Sequence, residues 1–333
     1  MTDLLISIVN MDNRDLLRAC LESLPSACGE LRTRVVVVDN ASRDGSAEML
    51  SSEFQQVDLV RNDHPHGFGR NHNAVLAPVL DGTLQPAPRY VCFLNDDTLL
   101  EPGSLSRLVA TMDADPRVGI TGPLIVDGAG VEQFTLYRPP TMLTDLKVFL
   151  GLPRPAASEA SAWLNGSCLV VRTTLLERIG GFDERFFLFA EDVDLCYRAT
   201  QAGSLIRRVP QARIVHYCHT SVKRPQHGSR MEKQMVRSRY LYDAKHHGRL
   251  RARSVLALHR SMLRLRALRN AVRARRGREA SRALVTLLRE LAAYDPRCPL
   301  RFERESMLRP GPRWRPSVRA HSSRPAAPHD GPG

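Results

Sequence analysis

No stretch of this chain approaches the roughly 20 consecutive apolar residues that a helix needs to cross a bilayer, although 43% of its 333 residues are hydrophobic. The first apolar run starts almost at once, but Asp3 precedes it and the polar residues Asn10, Asp12 and Asn13 end it. The run lacks the basic residues and the length of a signal peptide, so we predict a first β-strand there. We therefore expect a cytoplasmic protein.

Closely spaced cysteine pairs are also missing. The seven cysteines are odd in number and scattered, and none of them forms a CxxC motif. This distribution argues against a disulfide framework and against a zinc site, and it favours a reducing compartment.

Acidic residues are scarce in the C-terminal part of the chain. Residues 204–333 hold 31 Lys and Arg against 8 Asp and Glu, a net charge of +23, whereas residues 1–203 carry a net charge of −10. An acidic body with a basic C-terminal part indicates an anionic partner for that part. The length suffices for one large α/β domain and an appendage.

Short apolar runs alternate with helical patterns. The apolar runs predict strands at 4–9, 34–38, 57–61, 90–94 and 213–216. The helical patterns cover 14–24, 45–53, 71–80 and 195–202. This alternation is typical of a mostly parallel sheet flanked by helices, an α/β fold. Ligands in such sheets bind beyond the carboxyl ends of the strands, so we expect Asp12, Asp39 and Asp97 to converge on one edge.

Two acidic clusters adjoin apolar or aromatic runs. Asp96 and Asp97 follow the apolar run 90–94, and Glu191 and Asp192 follow the aromatic run 186–189. Each cluster could simply end a strand or cap a helix. Alternatively, one cluster holds a metal-bound phosphate, because hard cations prefer oxygen ligands. The other cluster would then supply a general base. Nearby phenylalanines would raise the pKa of the second pair by desolvation.

Taken in order, these segments resemble the family 2 glycosyltransferases with the GT-A fold, and more closely their bacterial rhamnosyltransferase-like branch. The resemblance spans roughly residues 4–221, and the matching segments are 6–10, 36–46, 67–73, 93–98, 166, 181–196, His216 and Ser221. It implies an inverting, metal-dependent transfer of rhamnose from dTDP-rhamnose to a hydroxyl of a cell-envelope or polysaccharide acceptor. The implied cofactor is Mg²⁺ or Mn²⁺, and the nucleotide sugar is the substrate.

The resemblance also implies roles for single residues. The donor would be bound by Asn10, Asp39, Gly67, Gly69, Asn73 and Asp96. The metal would be held by Asp97 and His216, and Asp192 would be the base, with Glu191 orienting it or the acceptor. Purely structural roles remain open for some of these residues. Asp39 could form an Asx-turn or cap a helix, Gly67 and Gly69 could form a simple turn, and His216 could be a structural residue.

The sequence departs from the family pattern at three places. His72 stands where relatives often have a second asparagine, and Asp96 stands where many have proline. Tyr217, Cys218 and His219 replace the small glycines that usually follow the strand ending at His216.

The chain divides by composition into a GT-A domain at 1–228, a basic helical extension at 229–308, and a Pro/Arg-rich tail at 309–333 that we expect to be disordered.

An apolar stripe of helical spacing is predicted in the extension, formed by Leu258, Met262, Leu265 and Val272. For its arginines we favour an anionic membrane surface, where lipid-linked acceptors reside, over a solvated or self-associating helical pair. Nucleic acid is least favoured, because no recognition motif accompanies them. The protein would then sit peripherally at the inner face of the plasma membrane.

Two other functions fit the same motifs. The enzyme could use a UDP-hexose on another acceptor, since relatives with similar motifs do so. It could also be a catalytically inactive GT-A protein that binds glycolipid, although the presence of Asp39, Asp97 and Asp192 together argues against this.

Overall fold

The structure is a computed structural model that describes residues 2–133, 136–137, 141–150, 152, 163–217, 228–274 and 279–297. Ser221 and the tail at 309–333, for which the sequence predicts a role beside His216 and disorder respectively, lie outside the described residues. The domain boundary at 228/229 stays a prediction. What the described residues show there is a helix that begins at Gly228.

Ten strands and ten helices are found in the described residues. The strands are β1 (Leu4–Asn10), β2 (Thr33–Asp39), β3 (Asp58–Arg61), β4 (Tyr90–Asn95), β5 (Thr98–Leu100), β6 (Val118–Val126), β7 (Leu136–Tyr137), β8 (Trp163–Leu164), β9 (Cys168–Arg172) and β10 (Leu205–His216). The helices are α1 (Arg14–Cys28), α2 (Ser46–Glu53), α3 (Phe68–Leu80), α4 (Ser104–Ala114), α5 (Met142–Phe149), α6 (Thr173–Ile179), α7 (Glu191–Gln201), α8 (Gly228–His246), α9 (Arg249–Ala274) and α10 (Glu279–Ala293).

One eight-stranded sheet organises the fold, in the order β3-β2-β1-β4-β9-β6-β10-β5. Strands β3, β2, β1 and β4 are parallel to one another, and so are β6 and β10. Strand β9 runs antiparallel to both of its neighbours, and β5 runs antiparallel to β10. Strands β7 and β8 form a separate antiparallel pair. The predicted mostly parallel α/β sheet is confirmed.

Helices cover both faces of this sheet, because its central strands are apolar on both faces at most positions, with Ser7 and Asn10 as the polar residues of β1. Successive side chains of a strand point to opposite faces, so Leu4 and Ile6 of β1 pack with Leu17 of α1 in one core. Leu5 between them packs with Leu76 of α3 in the other. Burial on both faces explains why the central strands read as continuous hydrophobic runs.

The three C-terminal helices pack against one another, and α8 also contacts the segment that leads into α7. Among the described helices, none has both the length and the apolar character required to cross a membrane. The extension contacts the preceding part of the chain through α8, and also through α9, whose His259 lies 3.4 Å from Asp145 of α5.

The apolar stripe predicted in α9 is only partly correct. Met262 is buried, but Leu265 and Val272 are 58% and 54% exposed. The buried face consists instead of Ala252, Val255, Met262 and Ala267. Apolar residues occur on several sides of α9, so its sequence permits more than one stripe. The packing of α8 and α10 decides which one is buried.

Candidate active site

The carboxyl ends of β1, β2 and β4 meet at one edge of the sheet. In the strand register Asn10 lies opposite Asp39, and Val9 lies opposite Asn95. The Asn10 Nδ2 atom donates to Ser42 Oγ at 3.0 Å and, more weakly, to Asp39 Oδ1 at 3.4 Å. Asn10 Oδ1 is buried and has no hydrogen-bond partner among the described residues. Both predicted nucleoside-binding residues therefore lie together at the end of the sheet.

Asp96 belongs to the same edge through the loop that follows β1. Its Oδ2 atom accepts a hydrogen bond from Asn13 Nδ2 at 3.0 Å and a longer one from the Met11 backbone N–H at 3.4 Å. Burial, and then the neighbouring charge of Asp97, raise the pKa of Asp96 to about 8. An acidic group held in this way favours a proton or a cation.

Asp97 and His216 form a carboxylate–imidazole pair. Strand β10 pairs antiparallel with β5, and the Tyr217 N–H donates to the Asp97 carbonyl at 3.0 Å. This pairing brings His216 Nε2 to 3.2 Å from Asp97 Oδ1, and each side chain is about a tenth exposed. Apart from this contact with His216, Asp97 Oδ1 is buried and has no hydrogen-bond partner among the described residues. The two predicted metal ligands are therefore in contact, although they lie 119 positions apart in the chain.

The donor set of this pair suits a cation that shares its ligands with substrate. Imidazole and carboxylate suit Mn²⁺, and Mg²⁺ commonly uses one or two carboxylates together with substrate phosphates. Within the described ranges there is no group of three or more His, Cys, Asp or Glu residues able to hold a metal ion. The pair therefore fits a cation completed by phosphate and water, and it does not fit a closed protein cage.

The second carboxylate pair opens α7, four residues earlier than the helix predicted from the sequence. Asp192 is half-buried, and its two oxygens accept hydrogen bonds from the backbone N–H groups of Gly166, at 2.9 Å, and Val193, at 2.8 Å. Burial raises the pKa of Asp192 to about 6, and these two N–H groups oppose the rise because they favour the ionised form.

Glu191 has a different environment from its neighbour. It is buried, and its Oε2 atom has no hydrogen-bond partner among the described residues. Burial, followed by the charge of Asp192, raises the pKa of Glu191 well above its usual value. The arrangement therefore favours the neutral acid at Glu191, whereas Asp192 is partly accessible and its carboxylate is supported by two backbone N–H groups. Asp192 is the member of the pair able to accept a proton.

A short loop joins the two carboxylate groups. The Asn95 N–H donates to the Ser167 carbonyl at 2.9 Å, and the adjacent Gly166 N–H donates to Asp192. A Cβ atom on Gly166 would lie 3.1 Å from the Asp192 Cβ, so glycine permits this close approach. Because Asn95 directly precedes Asp96 and Asp97, these two hydrogen bonds connect the two carboxylate groups at the carboxyl edge of the sheet.

The glycines before and within α3 serve close packing. A Cβ atom on Gly67 would lie 2.8 Å from the Phe187 carbonyl oxygen, and one on Gly69 would lie 2.7 Å from the Phe182 Cβ. The N-terminus of α3 thereby packs directly against the segment that leads into α7. This packing explains why glycine occupies both positions, and contact of these residues with a diphosphate stays a prediction.

Asn73, predicted to bind the donor, makes hydrogen bonds to the segment 182–184, and its contact with the donor stays a prediction. Its Oδ1 atom accepts the Phe182 N–H at 2.8 Å, and its Nδ2 atom donates to the Phe182 carbonyl at 2.8 Å and to Glu184 Oε1 at 3.0 Å. The amide is therefore committed to holding the 182–184 segment against α3. The sequence could not indicate this, because the partners lie 109 and 111 residues away.

Other residues around the site carried no local sequence signal. Asn13 and Ser42 fix Asp96 and Asn10, as described above, yet each looks like an ordinary loop residue. His72, whose role the sequence left open, is a core residue: its Nδ1 atom lies 2.8 Å from Ser7 Oγ, and burial lowers its pKa to about 3. Its imidazole is therefore neutral and belongs to the support of α3.

A helix-flanked, mostly parallel sheet with carboxylates and a histidine at its carboxyl edge defines the GT-A class of transferases. Among solved structures the chain resembles the mannosyltransferase PcManGT from Pyrobaculum calidifontis in complex with GDP-Man and Mn²⁺, with a TM-score of 0.54 and 20% identity over 88% of this chain and 81% of that one. It also resembles GalNAc-T7 with UDP, GalNAc and Mn²⁺, with a TM-score of 0.54 and 16% identity over 74% of this chain and 50% of that one. At these identities the likeness shows the fold.

The model of glycosyl transferase family 2 matches residues 4–178, so the chain belongs to this family and is a glycosyltransferase. It is 30% identical over 220 residues to the N-acetylglucosaminyl-diphospho-decaprenol L-rhamnosyltransferase of Mycobacterium tuberculosis (strain ATCC 25618 / H37Rv), covering 60% of this chain and 72% of that protein. It is 25% identical over 224 residues to the rhamnosyltransferase WbbL of Escherichia coli (strain K12), covering 64% and 83%. The predicted family and its rhamnosyltransferase-like character are confirmed.

Proposed function

We propose that this enzyme is an inverting, metal-dependent transferase that moves rhamnose from dTDP-rhamnose to a hydroxyl of a lipid-linked cell-envelope precursor. One observation is the main support for this mechanism. The Asn95 N–H donates to the Ser167 carbonyl, and the Gly166 N–H donates to Asp192. These hydrogen bonds connect the Asp97–His216 pair to the Asp192 carboxylate. A diphosphate leaving group and an attacking hydroxyl can then occupy neighbouring positions.

Asp192 acts on the acceptor. The acceptor oxygen attacks the anomeric carbon, the bond from that carbon to the diphosphate oxygen breaks, and the hydroxyl proton passes to the Asp192 carboxylate. Two of the lone-pair sites of this carboxylate are occupied by the Gly166 and Val193 N–H groups, and the others remain to take the proton. Burial raises the pKa of Glu191 and so disfavours a second negative charge beside the base.

The opposite side of the site holds the donor. Asn10 and Asp39 present buried amide and carboxylate groups to the nucleoside at the ends of β1 and β2. Asp97 and His216 would hold the divalent cation, which when bound would neutralise charge on the diphosphate. Asp96, fixed by Asn13, would add negative charge on the donor side when a bound cation favours its ionised form.

The sugar and the acceptor are proposed from the relatives. Two of them are named as rhamnosyltransferases, one of which is named for N-acetylglucosaminyl-diphospho-decaprenol. The solved neighbours contain GDP-Man or UDP with Mn²⁺, so a UDP-hexose or other nucleotide donor is the alternative. A catalytically inactive glycolipid-binding protein is disfavoured, because Asp39, Asp97 and Asp192 are all retained at one edge.

The basic extension is proposed to bind an anionic membrane. Helix α9 contains eight arginines and no acidic residue. Its outer face exposes the apolar side chains Leu250, Leu265, Leu268 and Val272. Apolar groups bordered by arginines match the interface of an anionic bilayer. We therefore propose that the enzyme works at the inner, cytoplasmic face of the plasma membrane, where lipid-linked acceptors are found.

The test is sugar transfer to synthetic N-acetylglucosaminyl-diphospho-polyprenol from dTDP-rhamnose, UDP-glucose, UDP-galactose and GDP-mannose, each with Mg²⁺, Mn²⁺ or EDTA. Metal-dependent release of dTDP with formation of a rhamnosylated product supports the proposal. Transfer from a UDP-hexose would preserve the mechanism and replace the donor. Metal-dependent donor binding without any transfer or hydrolysis would favour the inactive binding protein.

A further inference from the structure

The segment that delivers the base has an unusual backbone. Phe189 and Ala190 have φ values of 69° and 65°, so two consecutive non-glycine residues are left-handed directly before Glu191. Side chains with a Cβ atom rarely adopt this conformation, because the Cβ approaches the following carbonyl. Such residues persist only where the surrounding structure holds them.

Helix α8 holds this segment at Leu188. The Leu188 carbonyl oxygen accepts hydrogen bonds from Ser238 Oγ at 2.7 Å and from Gln234 Nε2 at 3.2 Å, and both of these α8 side chains are completely buried. From the other side, the Phe68 N–H of α3 donates to the Phe187 carbonyl at 2.9 Å. The two residues before the left-handed pair are therefore fixed by two different helices.

The C-terminal end of α8 holds α7 itself. Asp194 is completely buried two residues after Asp192. Its Oδ1 atom lies 2.6 Å from Lys245 Nζ and 2.7 Å from His246 Nε2, while Arg198 of α7 contacts its Oδ2 atom at 2.8 Å. Lys245 also pairs with Asp183, at 2.7 Å, where the segment begins. One α8 lysine thus joins both ends of the segment that contains the base.

Apolar packing connects these two sets of contacts. Tyr242 lies between Ser238 and Lys245 along α8, is completely buried, and packs with Phe186 and Val193. Helix α8 therefore contacts the segment before, inside and after the left-handed turn. A helix that served only to carry the basic extension would not need buried polar contacts to the backbone beside the base.

We propose that α8 is a positioning element of the catalytic site, with Ser238 and Lys245 as positioning residues that hold Asp192 in place for proton transfer. The inference rests on the proposed function, in which Asp192 is the base. Neither residue touches substrate: Ser238 acts through the Leu188 carbonyl and Lys245 acts through Asp194. Loss of either contact lets the left-handed turn relax and moves the carboxylate away from the acceptor hydroxyl.

The test compares Lys245→Met with Lys233→Met in the full-length enzyme. Both substitutions remove one ion-paired lysine from α8, but Lys233 pairs with Glu290 of α10, at 3.1 Å, and not with the base segment. Rhamnose transfer from dTDP-rhamnose to the synthetic acceptor gives kcat and KM, and calorimetry with dTDP and Mn²⁺ gives donor-side binding. Lys245→Met is expected to lower kcat about tenfold or more, with dTDP affinity changed less than about twofold. Lys245→Arg restores most of the rate, and Lys233→Met leaves it within about twofold of wild type.

Ser238→Ala provides a milder second variant should Lys245→Met fold poorly. It is expected to lower kcat in the same way and to speed hydrogen–deuterium exchange in a peptide covering 186–196, with exchange in 68–80 unchanged. If Lys245→Met and Ser238→Ala leave kcat intact while Asp192→Asn abolishes turnover, the positioning role is refuted and the proposed function stands. Absence of turnover in the wild-type enzyme with every donor would overturn the proposed function, and the positioning role with it.

Discussion

Asp192→Asn, compared with Glu191→Gln, tests the different roles proposed for two adjacent acids, of which Glu191 is buried and Asp192 is half-buried. If Asp192 is the base, its replacement removes general-base catalysis, which contributes ~10²- to 10⁴-fold to rates. The barrier to transfer then rises by roughly 3–5 kcal/mol, since each tenfold change in rate corresponds to 1.36 kcal/mol. Burial raises the pKa of Glu191, so Gln imitates the neutral form that this position favours. That variant should lose less than about tenfold.

The structure also indicates what Asp192→Asn does to stability. The Asp192 oxygens accept two backbone N–H bonds, and an Asn amide can satisfy one of them while its NH₂ group opposes the other. Leaving one buried donor unpaired costs ~1–3 kcal/mol. The unfolding midpoint should therefore fall modestly, and rates must be normalised to folded protein.

The pH–rate profile separates the two acids independently. A base must be ionised, and burial raises the pKa of Asp192 to about 6. The value of kcat/KM should therefore fall about tenfold per unit as the pH drops below about 6, instead of near the ordinary Asp pKa of about 3.9. The assay is dTDP release from dTDP-rhamnose with the synthetic acceptor between pH 4.5 and 9. Equal losses in both variants, or an acid limb that survives in Asp192→Asn, would refute the assignment.

Three further outcomes follow from the geometry. Gly166→Ala places a Cβ atom 3.1 Å from the Asp192 Cβ, so transfer should slow about tenfold with dTDP affinity unchanged; an unaffected kcat would contradict the contact. In EDTA the unfolding midpoint should fall as pH rises from 5 to 8. The pKa of Asp96 is raised to about 8 in the folded state, so the acid stays protonated there while the unfolded chain gives up the proton, and stability is lost. Asp96→Asn should make this fall with pH less steep, and an equally steep fall in the variant would contradict the burial effect. Replacing Leu265 and Leu268 together by Ser should lower the affinity for phosphatidylglycerol vesicles roughly tenfold in a co-sedimentation assay, since both side chains expose apolar area to a bilayer. Unchanged binding would argue against α9 as the membrane surface.

Local sequence was sufficient to predict much of the fold and to propose the reacting groups. The continuous apolar runs of β1, β2 and β4 predicted a sheet buried on both faces, and the pattern of glycines, asparagines and carboxylates matched one family. The metal pair could be proposed because Asp97 and His216 match positions of the family pattern. These signals are local, because a strand or helix leaves its period in a few consecutive residues.

Contacts between distant residues were not predictable in the same way. Nothing near Asn73 indicated that its amide would bind Phe182, and nothing near Lys245 indicated a partner in Asp194. Several apolar stripes were equally available on α9, and the packing of its neighbours selected the one that includes Met262. Each of these outcomes depends on which surfaces meet, and neighbouring residues in sequence carry no record of that.

The sequence by itself therefore determined the class of fold, the order of its elements and the identity of the acidic groups, because hydrophobic period and residue chemistry act over short stretches. Only the tertiary structure decided that Gly166 joins the two carboxylate groups, that Glu191 is more deeply buried than Asp192, and that α8 supports the turn before them. The physical reason is that burial and long-range hydrogen bonds set the pKa and position of a side chain, and both arise only when the helices pack against the sheet.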